Sequence, residues 1–292
     1  MACGTLYLVA TPIGNLEDIS LRALRILKEV DLVAAEDTRH SRKLFNHYGI
    51  TTPLTSCFEH NEARKGERIV ELLAQGRSVA LISDAGTPAI SDPGYLLVCR
   101  CRDEGLPVTV VPGPSAVITA LALSGLPTAR FAFEGFLPAK SSHRRALLAA
   151  ARGETERTLV YYEAPHRLLA ALADLREELG TERRVAVARE LTKLHEELFR
   201  GTVEEALTHF GAGRVRGEIV LLVAPAEAEP ERESLEEALA RWHAAPELSR
   251  KEMVKALAKR FGLPGSEVYR RSLELEGDEG DEGDGQADDS DH

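Results

Sequence analysis

Nowhere in the 292 residues is there an uninterrupted apolar run of about 18 positions, so no transmembrane helix is expected. No basic leader precedes the first strand-like segment, Thr5-Leu6-Tyr7-Leu8-Val9-Ala10, and the expected setting is the cytoplasm. Cysteine is scarce. Cys3, Cys57, Cys99 and Cys101 show no CxxC spacing, which argues against a disulfide framework or a zinc site and predicts reduced, mostly buried thiols. Aromatics make up only 5%, so the cores must be built from Leu, Val, Ile and Ala. GxxxxGK[ST] is absent, and Gly211-Ala212-Gly213 lacks a third glycine and follows no strand, which leaves neither a P-loop nor a dinucleotide fingerprint. His195-Glu196-Glu197 is not HExxH and the Asp/Gly-rich end lacks the EF-hand pattern, so no metal is expected.

Charge is plentiful but uneven. The net charge is -11, and ten acids with no Lys or Arg stand between Glu274 and Asp291; without them the rest is nearly neutral, at -1. A polyanionic partner is therefore compatible with the folded part, provided that basic residues cluster on one face.

Along the chain, strand-like apolar runs alternate with helical spacing. Thr5–Ala10 is followed by a helix from Ile19 to Val30 and a strand over Asp31–Ala35, which makes a β-α-β unit. A helix around Glu67–Ala74, a strand Ser78–Ser83, a helix to Glu104 and a strand Val108–Val111 repeat the order. Helix Ser115–Ser124, strand Phe131–Phe133, helix Arg144–Arg152 and strand Thr158–Tyr162 then open a second set. It continues with strands Arg184–Ala188 and Glu218–Val223 and with helices over 166–179 and 203–210. The fold class is α/β: a mostly parallel sheet covered by helices on both faces, then a second α/β domain with a mixed sheet. Domain limits of 1–113 and 114–226 are expected, with a linker from Ala226 to Glu233. A helical appendage over 234–275 should follow, and then an acidic tail over 276–292 without fixed structure. In the appendage Ser249-Arg250-Lys251-Glu252 has capping-box form, Gly262-Leu263-Pro264 breaks the chain, and Ser266 is placed to cap the next helix. The appendage resembles a helix-turn-helix and carries Arg250, Lys251, Lys255, Lys259, Arg260, Arg270 and Arg271, suited to phosphates or simply to solvent.

Functional loops of an open parallel sheet leave the carboxyl ends of its strands. Four stand out here: Ala10–Leu16, Ala35–Arg39, Ser83–Gly94 and Val111–Ala116. Gly86 and Gly94 let the backbone approach a flat ligand, and Pro88 and Pro93 stiffen the loop, which suits an adenosine gripped through main-chain groups. With no phosphate site present, a ligand without phosphates is favoured.

Together with Phe133-Glu134-Gly135-Phe136-Leu137-Pro138 and Tyr162-Glu163-Ala164-Pro165-His166-Arg167, these loops closely resemble the tetrapyrrole methylase superfamily, in the same order and over about residues 4–275. Within that superfamily the likeness is to the branch that methylates ribosomal RNA of the small subunit. The resemblance implies two α/β domains with S-adenosylmethionine in the cleft between them, usually in a homodimer. It implies 2′-O-methylation of a cytidine ribose in the decoding region of 16S ribosomal RNA, with that RNA or the small ribosomal subunit as partner. Carried onto this chain, the cofactor site would use Pro12, the loop from Asp84 to Ser91 with Gly86, Thr87 and Ile90, then Ser115, Ala116, Tyr162, Ile219 and Val220.

Methyl transfer from a sulfonium needs in-line positioning of two reactants, and a base helps to take the proton of a ribose hydroxyl. Asp37 or Glu36 is the candidate base, with Arg39 orienting the carboxylate or holding an RNA phosphate. Alternatively Glu36 only caps the next helix and pairs with Arg39. Glu163, His166 and Arg167 form a second polar cluster; they, Arg189, Lys251 and Lys255 are candidate substrate contacts. A tetrapyrrole or corrin methyltransferase and a non-catalytic RNA-binding module are the competing readings.

Overall fold

The computed structural model describes residues 3–57, 62–227, 234–244 and 248–278. The described chain divides into two compact units, Met1–Ala226 and Glu227–His292.

The first unit holds two five-stranded sheets. β1 (Leu6–Val9), β2 (Leu32–Ala35), β3 (Leu54–Ser56), β4 (Val79–Ile82) and β5 (Val108–Val111) form an all-parallel sheet in the order β3-β2-β4-β1-β5. Parallel neighbours require crossovers, and helices supply them on both faces. One face is covered by α1 (Leu21–Glu29) and α2 (Thr38–Tyr48), through Ile26, Leu27, Leu44 and Phe45. The other is covered by α3 (Glu62–Ala74) and α4 (Tyr95–Asp103), through Ile69, Leu73, Leu97 and Cys101. Strands packed on both sides read as continuous apolar runs, which is why Val-Ala-Leu-Ile of β4 is buried throughout.

The second sheet is mixed, as the sequence suggests. It comprises β6 (Phe131–Phe136), β7 (Thr158–Glu163), β8 (Arg184–Arg189), β9 (Glu197–Thr202) and β10 (Ile219–Val223), in the order β6-β7-β10-β8-β9. β6 and β7 are parallel, and the other pairs are antiparallel. On one face α6 (Ser141–Ala150), α7 (Leu168–Leu179) and α8 (Val203–Gly211) bury Leu148, Leu172 and Phe210. The opposite face receives α5 (Ala116–Ser124) through Val117, Ala120 and Leu121, together with Ile13 from the loop after β1.

Two strands and a helix have no counterpart in the sequence reading. β9, Glu-Leu-Phe-Arg-Gly-Thr, is an edge strand whose charges hide its alternation, and β3 has only three residues. α2 is a strongly polar helix, with Ser41, Leu44 and Phe45 as its buried residues. Of the thiols, Cys57 and Cys101 are buried, Cys99 is half-buried and Cys3 is exposed, a smaller buried share than expected. Burial raises the Cys101 thiol to about 11 and makes it inert as a nucleophile.

The second unit comprises α9 (Leu235–Ala244), α10 (Arg250–Phe261) and α11 (Gly265–Asp278), packed around Leu239, Met253, Leu257 and Val268. Ser249 and Glu252 form the expected capping box. α11 begins at Gly265, so Ser266 lies inside its first turn; the amide of Glu267 donates to Pro264 O and no Ser266 cap is needed. Of the acidic tail expected over 276–292 to lack fixed structure, 276–278 instead continue α11 and the rest lies outside the described residues, as does the linker from 228 to 233. No helix among the described residues is long and apolar enough to cross a membrane.

Candidate active site

Strands of the first sheet end together, and their loops are knitted to one another. The amide of Thr11 donates to Gly86 O (2.9 Å), and the Gly86 amide donates to Thr11 O (3.0 Å). The Thr11 hydroxyl adds a bond to Ser83 O (3.2 Å). Gly86 sits at φ +78°, a conformation that side-chain-bearing residues adopt at a cost, and this lets the loop after β4 double back against the end of β1. Gly94 closes that loop at φ +130°, where a Cβ would stand 2.5 Å from Leu81 Cδ2. Between them Ala89 (φ 68°) and Ser91 (φ 60°) hold left-handed conformations without being glycine. Such strain of roughly 1–3 kcal/mol per residue persists only where the surroundings impose it, and it concentrates at functional sites.

These loops form one wall of a cleft of about 570 Å³. The other wall is the second sheet. Tyr162 on β7, Val220 on β10 and Ala188 on β8 lie in one antiparallel register, and the amino end of α5, with Ser115 and Ala116, covers part of the same face. A volume of this size falls in the range of small-molecule sites, roughly 300–1,000 Å³.

The cleft brings together most of the residues expected around a cofactor. Asp84, Gly86, Thr87, Ile90, Ser91, Ser115, Ala116, Tyr162, Ile219 and Val220 all line it. Pro12 does not; its neighbour Ile13 does. Tyr162 is flanked by Phe133 and Phe136, at ring-centroid distances of 4.9 and 5.3 Å, and offers an aromatic surface to a planar ring.

The charge of the cleft is one-sided. Glu36, Asp84, Asp92, Glu163 and Glu218 line it, and among the described residues no Lys, Arg or His does. Two of these carboxylates are already neutralised. Glu163 meets Arg167 Nη2 at 2.6 Å and accepts the Ala164 amide at 2.7 Å, and Glu218 meets Lys193 Nζ at 2.9 Å. Glu36 follows β2 and Asp84 follows the adjacent β4, so parallel pairing of Ala35 with Ile82 carries both into the cleft. Burial first, then the charge of Asp84, raises the Glu36 carboxyl above its ordinary range. Burial, followed by the charge of Glu36, lifts Asp92 to about 6. Asp92 was not among the expected site residues; the repeated Ser-Asp of Ser83-Asp84 and Ser91-Asp92 is the local signal that marks it.

Asp37 and Arg39 are placed differently from Glu36. The Asp37 carboxylate is the N-cap of α2, accepts the Arg39 amide at 2.8 Å and pairs with Arg39 Nη2 at 2.7 Å. Those bonds hold it down to about 2. A carboxylate held that low is a feeble proton acceptor. Arg39 is 88% exposed, and neither residue lines the cleft. The capping and pairing considered for Glu36 thus belong to Asp37. Its amide donates to Asp84 Oδ1 (3.1 Å), tying the cap to the cleft wall.

Among the remaining candidates, His166 and Arg167 lie in the 3-10 turn Pro165–Arg167, His166 exposed and Arg167 turned inward to Glu163. Arg189 is engaged by Glu197 (2.7 Å) and by Arg216 O, away from the cleft lining. Lys251 and Lys255 are exposed on α10 in the second unit.

Strand-end loops, a two-walled cleft and a carboxylate-lined interior occur here on one α/β frame, and comparison with known proteins identifies that frame. The model of the tetrapyrrole (corrin/porphyrin) methylases matches residues 5–207, a span that contains every strand but β10. The chain belongs to this family and is a methyltransferase. It is 50% identical over 281 residues to ribosomal RNA small subunit methyltransferase I of Pseudomonas aeruginosa, covering 95% of this chain and 99% of that protein. It is 48% identical over 278 residues to the protein of the same name from Synechocystis sp., covering 94% and 99%. Among solved structures, uroporphyrin-III-C-methyltransferase from Thermus thermophilus superposes with a TM-score of 0.54 at 26% identity, over 76% of this chain and 94% of that one.

Proposed function

We propose that this chain transfers a methyl group from S-adenosylmethionine to the 2′-hydroxyl of a cytidine ribose in the decoding region of 16S ribosomal RNA, acting in the cytoplasm as a homodimer. The observation that carries the reading is the cleft itself, in which Glu36, Asp84 and Asp92 have no Lys or Arg beside them in the lining among the described residues. Unpaired carboxylates in a confined space favour a cationic ligand, and a sulfonium is one. The extent of similarity to the two ribosomal RNA methyltransferases supports the RNA substrate.

When bound, the cofactor supplies an activated methyl group. The loop from Asp84 to Ser91 with Ser115 and Ala116 holds the adenosine, and Tyr162 with Ile219 and Val220 forms its far wall. Glu36 supplies negative potential in the cleft, while Asp37 and Arg39 fix the start of α2, with Arg39 turned outward toward RNA phosphate. Because the lining repels phosphate, a nucleotide must enter sugar-first with its backbone outside. Orienting the sugar or base falls to Glu163, His166 and Arg167 in this reading.

Incubating the full chain and labelled cofactor with small ribosomal subunits that lack the modification, and with a free tetrapyrrole as the alternative acceptor, tests this directly. Alkali-resistant label in the RNA is expected; label only in the tetrapyrrole overturns the RNA assignment. In the same assay Glu36→Gln is expected to slow transfer at least about tenfold, and Asp37→Asn, which keeps the cap, to stay within about threefold. The reverse order would move the chemistry to Asp37.

Lys251, Lys255 and Lys259 stand four residues apart on α10, exposed, whereas Arg270 and Arg271 are occupied by Glu267, Glu274 and Glu236. The three lysines therefore give this unit cations that can meet RNA phosphates. Replacing Lys251 and Lys255 by Ala is expected to reduce the slope of log affinity against log salt by roughly 2, whatever the RNA sequence. An unchanged slope would remove α10 from the interface.

A further inference from the structure

We propose that Asp92 is a catalytic residue of this transfer, its carboxylate taking the proton of the ribose hydroxyl as the methyl group arrives. The proposal rests on the reaction assigned above and concerns a residue to which neither the motif reading nor the family likeness gave a part.

The first ground is placement. Asp92 lines the cleft near the end of a loop secured at its start by the Thr11–Gly86 bridge and at its end by Gly94 against Leu81. The residue immediately before it, Ser91, is held at φ 60°. A strained backbone at this point fixes where the next side chain leaves the loop, and the surrounding bonds maintain it.

The second ground is elimination among the carboxylates. Asp84 accepts the Asp37 amide, Glu36 is bonded by the Asp84 backbone, Glu163 is bonded to Arg167 and the Ala164 amide, and Glu218 to Lys193. Asp37 is committed to Arg39 outside the cleft. Among the described residues Asp92 has the Ser83 side chain as its contact and no cation beside it.

Among the described residues the groups that face it are Ser83 and Asp84 after β4, Glu36 after β2, and Tyr162 of β7 across the cleft, none of them cationic. Burial, then Glu36, moves the Asp92 carboxyl to about 6, so it is mostly ionised at neutral pH and is a better acceptor than an ordinary aspartate. Burial, then the charge of Asp92, raises the Tyr162 phenol, which keeps it protonated.

The step balances without another reagent. The C–O bond forms as the C–S bond to the departing methyl breaks, the electron pair stays on sulfur, and the hydroxyl proton passes to the Asp92 carboxylate. The products are the methyl ether and the neutral thioether, and the proton leaves to water afterwards.

The test uses the full chain, small ribosomal subunits and S-adenosylmethionine in single-turnover transfer from about pH 5 to 8.5. The wild-type rate should rise about tenfold per pH unit below pH 6 and level off above it. At saturating cofactor Asp92→Asn should lose roughly 10²–10⁴-fold in single-turnover rate, and the rising limb with it. Asp92→Glu, which keeps a carboxylate, should recover part of the rate with the limb displaced. A readout independent of turnover is the carboxyl carbon of Asp92 in the protein alone, followed by NMR. Its midpoint should lie near 6 and move down in Glu36→Gln. Asn at 92 preserving the limb, or transferring within about threefold of wild type, would sink the proposal, as would an NMR midpoint near 4. Failure of the wild-type chain to methylate the subunits at all is a different result: it removes the assigned reaction, and this step with it.

Discussion

Asp174→Ala is expected to cost the fold roughly 3–5 kcal/mol, the range for breaking a buried ion pair from one side. Arg144 on α6 is 4% exposed and Asp174 on α7 is 12% exposed, and they meet through Nη2 at 2.6 Å and Nε at 2.8 Å. Ser141 also donates to Asp174 (3.0 Å), while Arg144 Nη1 reaches Pro138 O at 3.2 Å. Removing the carboxylate leaves a guanidinium in a place with little water, next to the core of the second sheet. Removing both charges is a smaller insult, so Arg144→Met with Asp174→Leu should recover most of the loss. Urea denaturation of the single and double variants checks this. A loss under about 1 kcal/mol for Asp174→Ala would mean that the pair is solvated in solution.

Ala116→Trp is expected to lower affinity for S-adenosylmethionine at least about 100-fold, equivalent to roughly 2.7 kcal/mol, while changing the melting temperature little. Ala116 is the first residue of α5 and lines the cleft, where a small side chain leaves room between the two walls. An indole there would fill that room, and the first turn of a helix tolerates most residue types without loss of backbone bonds. Calorimetric titration is the measurement. Affinity within about threefold of wild type would place the cofactor elsewhere and dismantle the proposed site.

The two expectations differ in how far the sequence announces them. Ser115 and Ala116 stand in a Gly-Pro turn after a strand, a pattern that can be read without coordinates. Arg144 and Asp174 are thirty positions apart, each within its own helix, and nothing local marks them as partners. The same contrast runs through the site. Asp84, Gly86 and Tyr162 occupy loops or strand ends whose composition advertises them. Pro12 sits in such a loop too, yet Ile13 is the residue that lines the cleft. The Glu36–Arg39 motif divides in the same way: adjacent carboxylates acquire opposite properties because Glu36 turns toward Asp84 and Asp92 while Asp37 turns toward Arg39.

Local chemistry was enough to determine the alternation of strands and helices, the Gly and Pro turns at strand ends, the capping box at Ser249, and the absence of phosphate and metal motifs. Each of these depends on neighbours within a few positions, where periodicity and turn preference act. Only the tertiary structure decided that β9 joins the second sheet, that carboxylates gather in the lining of the cleft, and that Asp92 is lifted toward neutrality. Those properties arise from groups brought together across tens of residues, and burial and Coulomb interaction depend on distance in space, which sequence spacing does not encode.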